Sequence, residues 1–260
     1  MSHWPGLASV RLGCVRYLNA APLIHGYDGP VVFGDPATLA RDIAGGELDA
    51  ALVPIFEALG PRHYLLVDGV GITSDGPVFS VFLAHRVPLR DVRRITIDRA
   101  SVTSVNLLRV ILAEFHQLRP ELVAPEETIE PADGLLLIGN QAIEFRHTHG
   151  ETHQFFDLGE EWRRETGLPF VYAAWVLVPS LPNASSVAEE FRSLKRDGVA
   201  RLAEIVENGV IGSREFRRRY LTDHIRFDLG IREKAGLEKF RSLLVKHGLA
   251  AAGSAPLEYV

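Results

Sequence analysis

The 260-residue chain holds a single cysteine and a single methionine, and one cysteine excludes an intramolecular disulfide. Cys14 lies in the apolar run Val10 to Val15, the setting of a buried structural thiol rather than of a nucleophile. An excess of basic residues is also missing. Lys and Arg total 28 against 33 Asp and Glu, a formal net charge of -5. A nucleic-acid face needs clustered cations, so no nucleic-acid partner is expected. The one dense basic run, Arg214 to Arg219, is interrupted by Glu215 and reads as a solvated helix face. No uncharged apolar stretch approaches the roughly 20 residues of a membrane span, and no membrane partner is expected. Met1 to Ser9 shows no basic segment leading into an apolar one, so the expected compartment is the cytoplasm.

Most catalytic and cofactor templates are absent as well. Neither G-x-G-x-x-G nor G-x-x-x-x-G-K-[ST] occurs, which leaves dinucleotide or nucleoside triphosphate binding unsupported. No G-x-S-x-G elbow occurs either. Ten histidines are present, and His147, His149 and His153 form the one tight group. That segment is polar and glycine-flanked, without an HExxH or CxxC context, so it reads as a solvated loop and no metal site is assigned.

What is present is an α/β rhythm. Val10 to Val15 is a short strand, and Tyr17 to Pro22 a strand-to-helix turn. Val31 to Phe33 is a strand, and Asp35-Pro36 is an N-cap and first-turn pair opening a helix to Ala44, stopped by Gly45-Gly46. Leu48 to Val53 is a buried strand, after which Pro54 starts a short helix. Two long apolar strands interrupt the rhythm, Val78 to Ala84 and Phe170 to Val178. Between them lies a self-contained pattern: strand Arg94 to Ile97, helix Val102 to Phe115, strand Gly134 to Ile138, and a helix from Gln141. After Pro182 the chain reads as mainly helical. The layout predicts a two-domain α/β protein joined by two crossing strands, with residues 1–88 and 180–260 in one domain and 89–179 inserted as the second. Such a fold binds its ligand between the domains, at the carboxyl ends of the strands.

Three segments fall at strand ends facing the predicted cleft. In Arg16-Tyr-Leu-Asn-Ala20, Asn19 can cap the following helix or point its amide at a ligand, and spacing allows both. In Thr73 to Ser80, Ser80 places a hydroxyl inside an apolar strand, where it needs a partner from backbone, water or ligand. In Ser101-Val-Thr-Ser-Val-Asn106, the hydroxyls of Ser101, Thr103 and Ser104, with free first-turn N–H groups, favour an anion. Gly139-Asn140 forms the opposite wall of the same cleft.

With these residues, the chain resembles the chorismate dehydratase family of the futalosine route to menaquinone. The resemblance rests on Tyr17-Leu-Asn19 with Pro22, Ser74-Asp-Gly-Pro77 with Ser80, and Thr103-Ser104. It also rests on Asp157 to Trp162, Thr166 to Tyr172, and Ile225 to Gly230. It implies a fold similar to the type II periplasmic binding proteins, and a cofactor-free dehydration of chorismate to 3-[(1-carboxyvinyl)oxy]benzoate. The residues at Asn19 and Ser80 are then expected to be critical. A serine commonly precedes the Tyr-Leu-Asn motif, and here Arg16 stands in its place.

On that reading, the helix start at Thr103-Ser104 holds one carboxylate of chorismate and Arg16 reaches towards the other. Asn19 and Ser80 orient the ring and hydrogen-bond the departing hydroxyl. No His, Asp or Glu base falls in the three segments apart from Asp75, which reads as turn chemistry. The proton acceptor is then the substrate's own enolpyruvyl carboxylate or a bound water. Two other readings share the fold: a sister enzyme forming 1,4-dihydroxy-6-naphthoate from cyclic dehypoxanthine futalosine, and a solute-binding protein without catalysis.

Overall fold

A computed structural model describes residues 4–98, 101–125, 132–251 and 256–260. Two sheets organise it. The first is built from β1 (Leu12–Cys14), β2 (Val31–Phe33), β3 (Ala50–Pro54), β4 (Leu65–Ser74), β10 (Phe170–Leu177) and β11 (Glu258–Tyr259), in the order β11-β4-β10-β3-β1-β2. The second is built from β5 (Val81–His85), β6 (Arg94–Thr96), β7 (Glu121–Val123), β8 (Gly134–Ile138) and β9 (Gln154–Asp157), in the order β7-β6-β8-β5-β9.

Each sheet contains one reversed strand, and the connectivity explains why. β10 pairs antiparallel with both β3 and β4, and β5 pairs antiparallel with both β8 and β9. Each is the strand by which the chain arrives from the other sheet, β5 with no helix before it and β10 after the helix Leu158–Thr166, so neither is placed by a crossover within its own sheet. The remaining pairs, β1 with β2 and β3, β11 with β4, and β6 with β7 and β8, are parallel. Two α/β units between which the chain passes twice agree with the fold that the resemblance implied.

The expected domain limits move, however. β5 pairs within the second sheet and β10 within the first, so the chain passes between sheets at residues 75–80 and 158–169, not near 88 and 179. Ser80 therefore lies in the passage just before β5, not inside a strand. The reason is local. Phe79 has φ of 67°, a conformation rare for a bulky residue that ends the extended run. The Asp157 carboxylate fixes it, accepting from Val78 N–H (3.0 Å) and Phe79 N–H (2.7 Å).

The helices follow from familiar signals. α1 (Pro36–Ala44) is capped by Asp35, whose carboxylate accepts from the Thr38 N–H and hydroxyl at 2.9 and 2.7 Å. α2 (Ile55–Ala58) follows Pro54. α3 (Val102–Phe115) buries most of its length, and α4 (Gly139–His149) begins at a glycine with φ of 62°. α5 (Leu158–Thr166) is capped by the same Asp157, which accepts from the Gly159 and Glu160 N–H groups. α6 (Ala184–Ala200) packs on β4, α7 (Leu202–Asn208) on the Leu18–Leu23 segment and on α8 (Arg214–Arg219), and α9 (Ile231–Lys246) on β10. A π-helical turn, Tyr220–His224, follows α8 directly.

The apolar core runs beneath both sheets, with Trp162, Trp175, Phe170, Phe191 and Phe240 among its largest fully buried side chains. Burying each such aromatic stabilises the fold by roughly 1.5–3 kcal/mol. Cys14 is part of this core, and burial pushes its thiol up to about 12, as befits an inert structural residue. Arg217 departs from the expected solvated face. It is buried, and its guanidinium donates to the carbonyls of Val206 (2.8 Å), Gly212 (2.6 Å) and Ile211 (3.4 Å). Those carbonyls lie in α7 and the loop before α8, so the arginine ties the loop down instead of facing water.

Candidate active site

A cavity enclosing about 570 Å³ of empty space, its mouth included, lies between the two sheets. Its lining follows from the topology. Val15, Tyr17 and Asn19 follow β1, Pro36 follows β2, Pro54 ends β3 and Ile72 lies near the end of β4. Ser101 to Ser104 begin α3, Ile138 ends β8 and Gly139 begins α4. The reversed strands contribute residues from their first halves, Val81 from β5 and Tyr172 and Ala173 from β10. The cavity thus collects the carboxyl ends of the parallel strands, the ligand position of open α/β sheets.

The structure brings six of the nine expected site residues to this cavity: Tyr17, Asn19, Ser101, Thr103, Ser104 and Gly139. Asn19 does not cap a helix. It sits inside the short 3-10 helix Leu18–Leu23, whose N-cap is Tyr17. Its Oδ1 is buried and has no partner among the described residues. Ser101 is the N-cap of α3 but makes no capping bond, and its Oγ is likewise buried without a partner. A buried polar atom without a partner is costly, so two of them facing one cavity mark places where a ligand completes the bonding. Thr103 Oγ1 accepts from the Phe56 N–H at 3.1 Å, which joins α3 to α2 across the cleft and leaves the hydroxyl proton available.

α3 and α4 both begin at the cavity without a side-chain cap. Each helix start carries first-turn N–H groups without intrahelical partners and the positive end of its dipole, although the N–H of Gly139 itself is bonded to the Ser80 carbonyl at 2.9 Å. Gly139 permits the second start in two ways. Its φ of 62° suits glycine, and a Cβ there would sit 3.0 Å from the Tyr17 ring.

Three expected residues lie elsewhere. Arg16 is exposed, and its guanidinium stacks over the Phe33 ring at 4.0 Å, outside the cavity lining. Asn140 works as a clasp between the lobes: its Oδ1 accepts from the Leu18 N–H (3.0 Å) and its Nδ2 donates to the Arg16 carbonyl (3.2 Å). Ser80 is fully buried behind the wall and shares a 2.7 Å hydrogen bond with the Tyr220 hydroxyl.

Residues that sequence reasoning missed complete the site. Tyr172 lies in the lining, and its hydroxyl shares a 3.0 Å bond with Ser74 Oγ. Ser74 in turn donates to the Gly76 carbonyl at 3.1 Å, so the Tyr172 proton is directed to Ser74. Tyr172 fell within a motif quoted for the resemblance, but an aromatic in an apolar strand gives no sign of facing a cleft. Burial raises the pKa of both Tyr17 and Tyr172, so both remain phenols at neutral pH. The cavity lining holds no Asp, Glu, His, Lys or Arg among the described residues.

The histidine group is not a loop in full, since His147 and His149 lie on α4. His147 packs against Phe79 and Phe216, and His149 stacks on Phe145. Among the described residues no group of three or more His, Cys, Asp or Glu is placed to hold a metal ion. No helix among them is long and apolar enough to cross a membrane.

Comparison with known proteins now assigns the chain. It is 30% identical over 259 residues to the chorismate dehydratase of Thermus thermophilus, covering 90% of this chain and 94% of that one. A second chorismate dehydratase, from Campylobacter jejuni, is 23% identical over 230 residues, covering 86% and 88%. Among solved structures, a Candida albicans protein described as having the generic periplasmic binding protein fold superposes with a TM-score of 0.61 at 13% identity, covering 96% and 97%. The profile of the family described as menaquinone biosynthesis matches residues 10–246, and the chain belongs to that family.

Proposed function

We propose that the protein is a chorismate dehydratase, removing water from chorismate to give 3-[(1-carboxyvinyl)oxy]benzoate for menaquinone synthesis by the futalosine route in the cytoplasm. One observation carries the reading. The cavity is mainly apolar, and it combines two orphaned polar atoms, Asn19 Oδ1 and Ser101 Oγ, with the hydroxyls of Thr103 and Ser104 and two uncapped helix starts. Chorismate matches that pattern, with two carboxylates and one hydroxyl on an otherwise apolar ring.

The α3 start, with Ser101, Thr103 and Ser104, takes one carboxylate, and the α4 start at Gly139 faces the second. This replaces the expected role of Arg16, which is turned to Phe33. Val81, Ile138, Leu52 and Ile72 hold the ring. Asn19 Oδ1 accepts from the C4 hydroxyl and fixes it relative to the ring. Loss of the C3 proton and of the C4 hydroxide yields the aromatic product and one water, so the atoms balance. With no titratable base in the lining besides two phenols among the described residues, the enolpyruvyl carboxylate of the substrate takes the C3 proton. Orientation of this kind contributes several kcal/mol to lowering a barrier. Residues 75–80 and 158–169 form the hinge between lobes, and Asn140 and Thr103 hold the closed state by their bonds across the cleft.

The test mixes purified protein with chorismate and follows products by chromatography and mass. A product lighter by one water with a benzoate spectrum supports the reading, and Asn19→Ala then lowers kcat by roughly 100-fold or more while the fold persists. Unchanged chorismate from a folded sample, or near-normal turnover by the variant, overturns it.

A further inference from the structure

One carboxylate in the passage between the lobes has no place in the cavity. The sequence setting of Asp75 suits turn chemistry, but Ser74 closes that turn, its hydroxyl donating to the Gly76 carbonyl at 3.1 Å. Among the described residues the Asp75 carboxylate takes no bond from the backbone of its turn, and three arginines hold it instead. Oδ2 accepts from Arg232 Nη1 at 2.9 Å and from Arg226 Nη1 at 3.4 Å. Oδ1 lies 2.8 Å from Arg163 Nε, a charge contact without hydrogen-bond alignment. The Asp75 side chain is 8% exposed, so this is a nearly buried charge in a network and not an isolated surface pair.

The three arginines come from both sides of the passage. Arg226 belongs to the first lobe, where the Thr73 and Arg226 backbones exchange two hydrogen bonds of 2.9 Å beside β4. Arg232 lies in the first turn of α9, which packs on β10. Arg163 lies on α5, which packs on α3 and on β5 and β9 of the second sheet. The same helix bears on the first lobe through Trp162, whose ring meets Phe170 and Phe240 edge to face at 5.3 and 5.9 Å. Arg163 and Arg232 also converge on the Gly167 carbonyl just past the end of α5. α5 is therefore the element on which the lobes turn, and Asp75 ties it to the first lobe.

The cavity makes that tie matter, because its two halves belong to different lobes. Asn19 follows β1 of the first sheet, whereas Ser101 to Ser104 and Gly139 open helices of the second lobe. The separation of Asn19 from those helix starts is set by the angle between the lobes. We propose that Asp75 is a positioning residue: joining Arg163 to Arg226 and Arg232, it fixes the closure at which both halves of the cavity reach one ligand. An amide at this position leaves three guanidinium groups facing one another without a counter-charge, and their repulsion spreads the passage. Asp75 is absent from the cavity lining, so it touches no reacting atom.

The kinetic consequence rests on the dehydratase reading, the geometry does not, and two measurements on the full chain keep them apart. In Asp75→Asn the competent arrangement is less populated before binding, and the substrate's own contacts have to close the lobes. KM for chorismate should rise about tenfold with kcat within about threefold, and Asp75→Glu should recover most of the loss. Arg163→Met is the sharper test, since Asp75 then keeps its two first-lobe partners. It should raise KM as much as D75N does, and D75N added to R163M should change KM by less than about twofold. An unchanged KM in R163M, or additive losses in the double variant, overturn the proposal. Should D75N fail to fold, R163M carries both measurements.

The second measurement needs no turnover. Cys14 is the one native cysteine and is buried, so Glu47→Cys in the first lobe and Glu144→Cys in the second, both at exposed positions, take spin labels selectively. The distance between the labels, read by double electron–electron resonance, should be narrowly distributed in the otherwise unaltered protein and longer and broader in D75N and R163M. An unchanged distribution in both variants overturns the role of Asp75 even if chorismate proves not to be the substrate. A widened distribution in a protein that leaves chorismate untouched supports that role and overturns the dehydratase reading alone.

Discussion

Asp157→Asn tests how the passage between the lobes is held. The Asp157 side chain is buried, and its two oxygens have different duties. Oδ1 accepts from the N–H groups of Val78, Gly159 and Glu160, and Oδ2 accepts from Phe79 N–H and from Arg146. An amide preserves shape but has one acceptor. If its nitrogen replaces Oδ2, two donors face a donor; if it replaces Oδ1, three do. The smaller loss is thus two bonds to a buried carboxylate, one of them the pair with Arg146 at 3.3 Å. Each is worth about 1.5–3 kcal/mol where charge assists, and Arg146 keeps its contacts over Phe79, Phe82 and Phe155, so about 3 kcal/mol is the expected total. For a chain of this size that corresponds to a fall in Tm of about 6–12 °C. Phe79 also loses the bond that holds its φ of 67°. A residue in that region stores about 1–3 kcal/mol, so release lets the passage relax and displaces the adjacent Ser80. Thermal unfolding by circular dichroism and chorismate turnover should therefore fall together. A Tm within about 2 °C of the unaltered protein would refute the account of the clamp. A large Tm loss with undiminished turnover would refute the link to Ser80.

The remaining predictions concern single side chains. Ser101→Ala removes a buried hydroxyl that has no partner, so stability should hold or rise slightly while KM for chorismate rises about tenfold or more, read from steady-state kinetics. A loss of stability without a change in KM would show that the hydroxyl serves the fold. Arg16→Ala should leave KM within about twofold, as for other exposed positions, because the guanidinium rests on Phe33; a tenfold rise would return Arg16 to the substrate. Asp35→Ala removes the α1 cap and should cost about 1 kcal/mol by urea denaturation at neutral pH. The hydrogen bonds from the Thr38 hydroxyl and N–H lower the Asp35 pKa. A lowered carboxylate contributes stability above its unfolded value near 3.9 and loses it as pH falls through the folded value, so the gap between variant and unaltered protein should close below about pH 4. A gap that stays constant down to pH 2 would remove Asp35 as its source.

Much of the architecture was legible because it rests on local signals. Asp35-Pro36 fixed the start of α1, the strand Val31–Phe33 and the helix Val102–Phe115 have the expected bounds, and the alternation of strand and helix announced parallel sheets. The strand Leu65–Ser74 was not legible. Asp68 and Gly69 interrupt its apolar run, and its pairing with β10 is broken by two register shifts, so no simple alternation survives. The domain limits failed for a related reason: hydrophobicity shows that Val81–His85 is buried but not which sheet pairs with it. That choice was made at Phe79, where a backbone conformation unusual for phenylalanine redirects the chain.

The site divides along the same line. Residues in short polar motifs at strand ends, Asn19 and Ser101 to Ser104, could be assigned to the cleft because the fold class dictates where strand ends meet. What those atoms present to a ligand could not be assigned, since it depends on partners distant in sequence. Ser80 needed a partner on elementary grounds, yet that partner is Tyr220, 140 positions away. Arg16 and Asn140 stood in the right segments, and their side chains were claimed by Phe33 and by the backbone of residues 16 and 18. Position along the chain selected the candidates. The hydrogen-bond inventory then sorted them, because a side chain whose donors and acceptors are all spoken for has nothing left to offer a substrate. By that criterion Asn19 and Ser101 are cavity residues whose buried side-chain oxygens have no partner among the described residues, and they are where substitution should separate binding and turnover from stability.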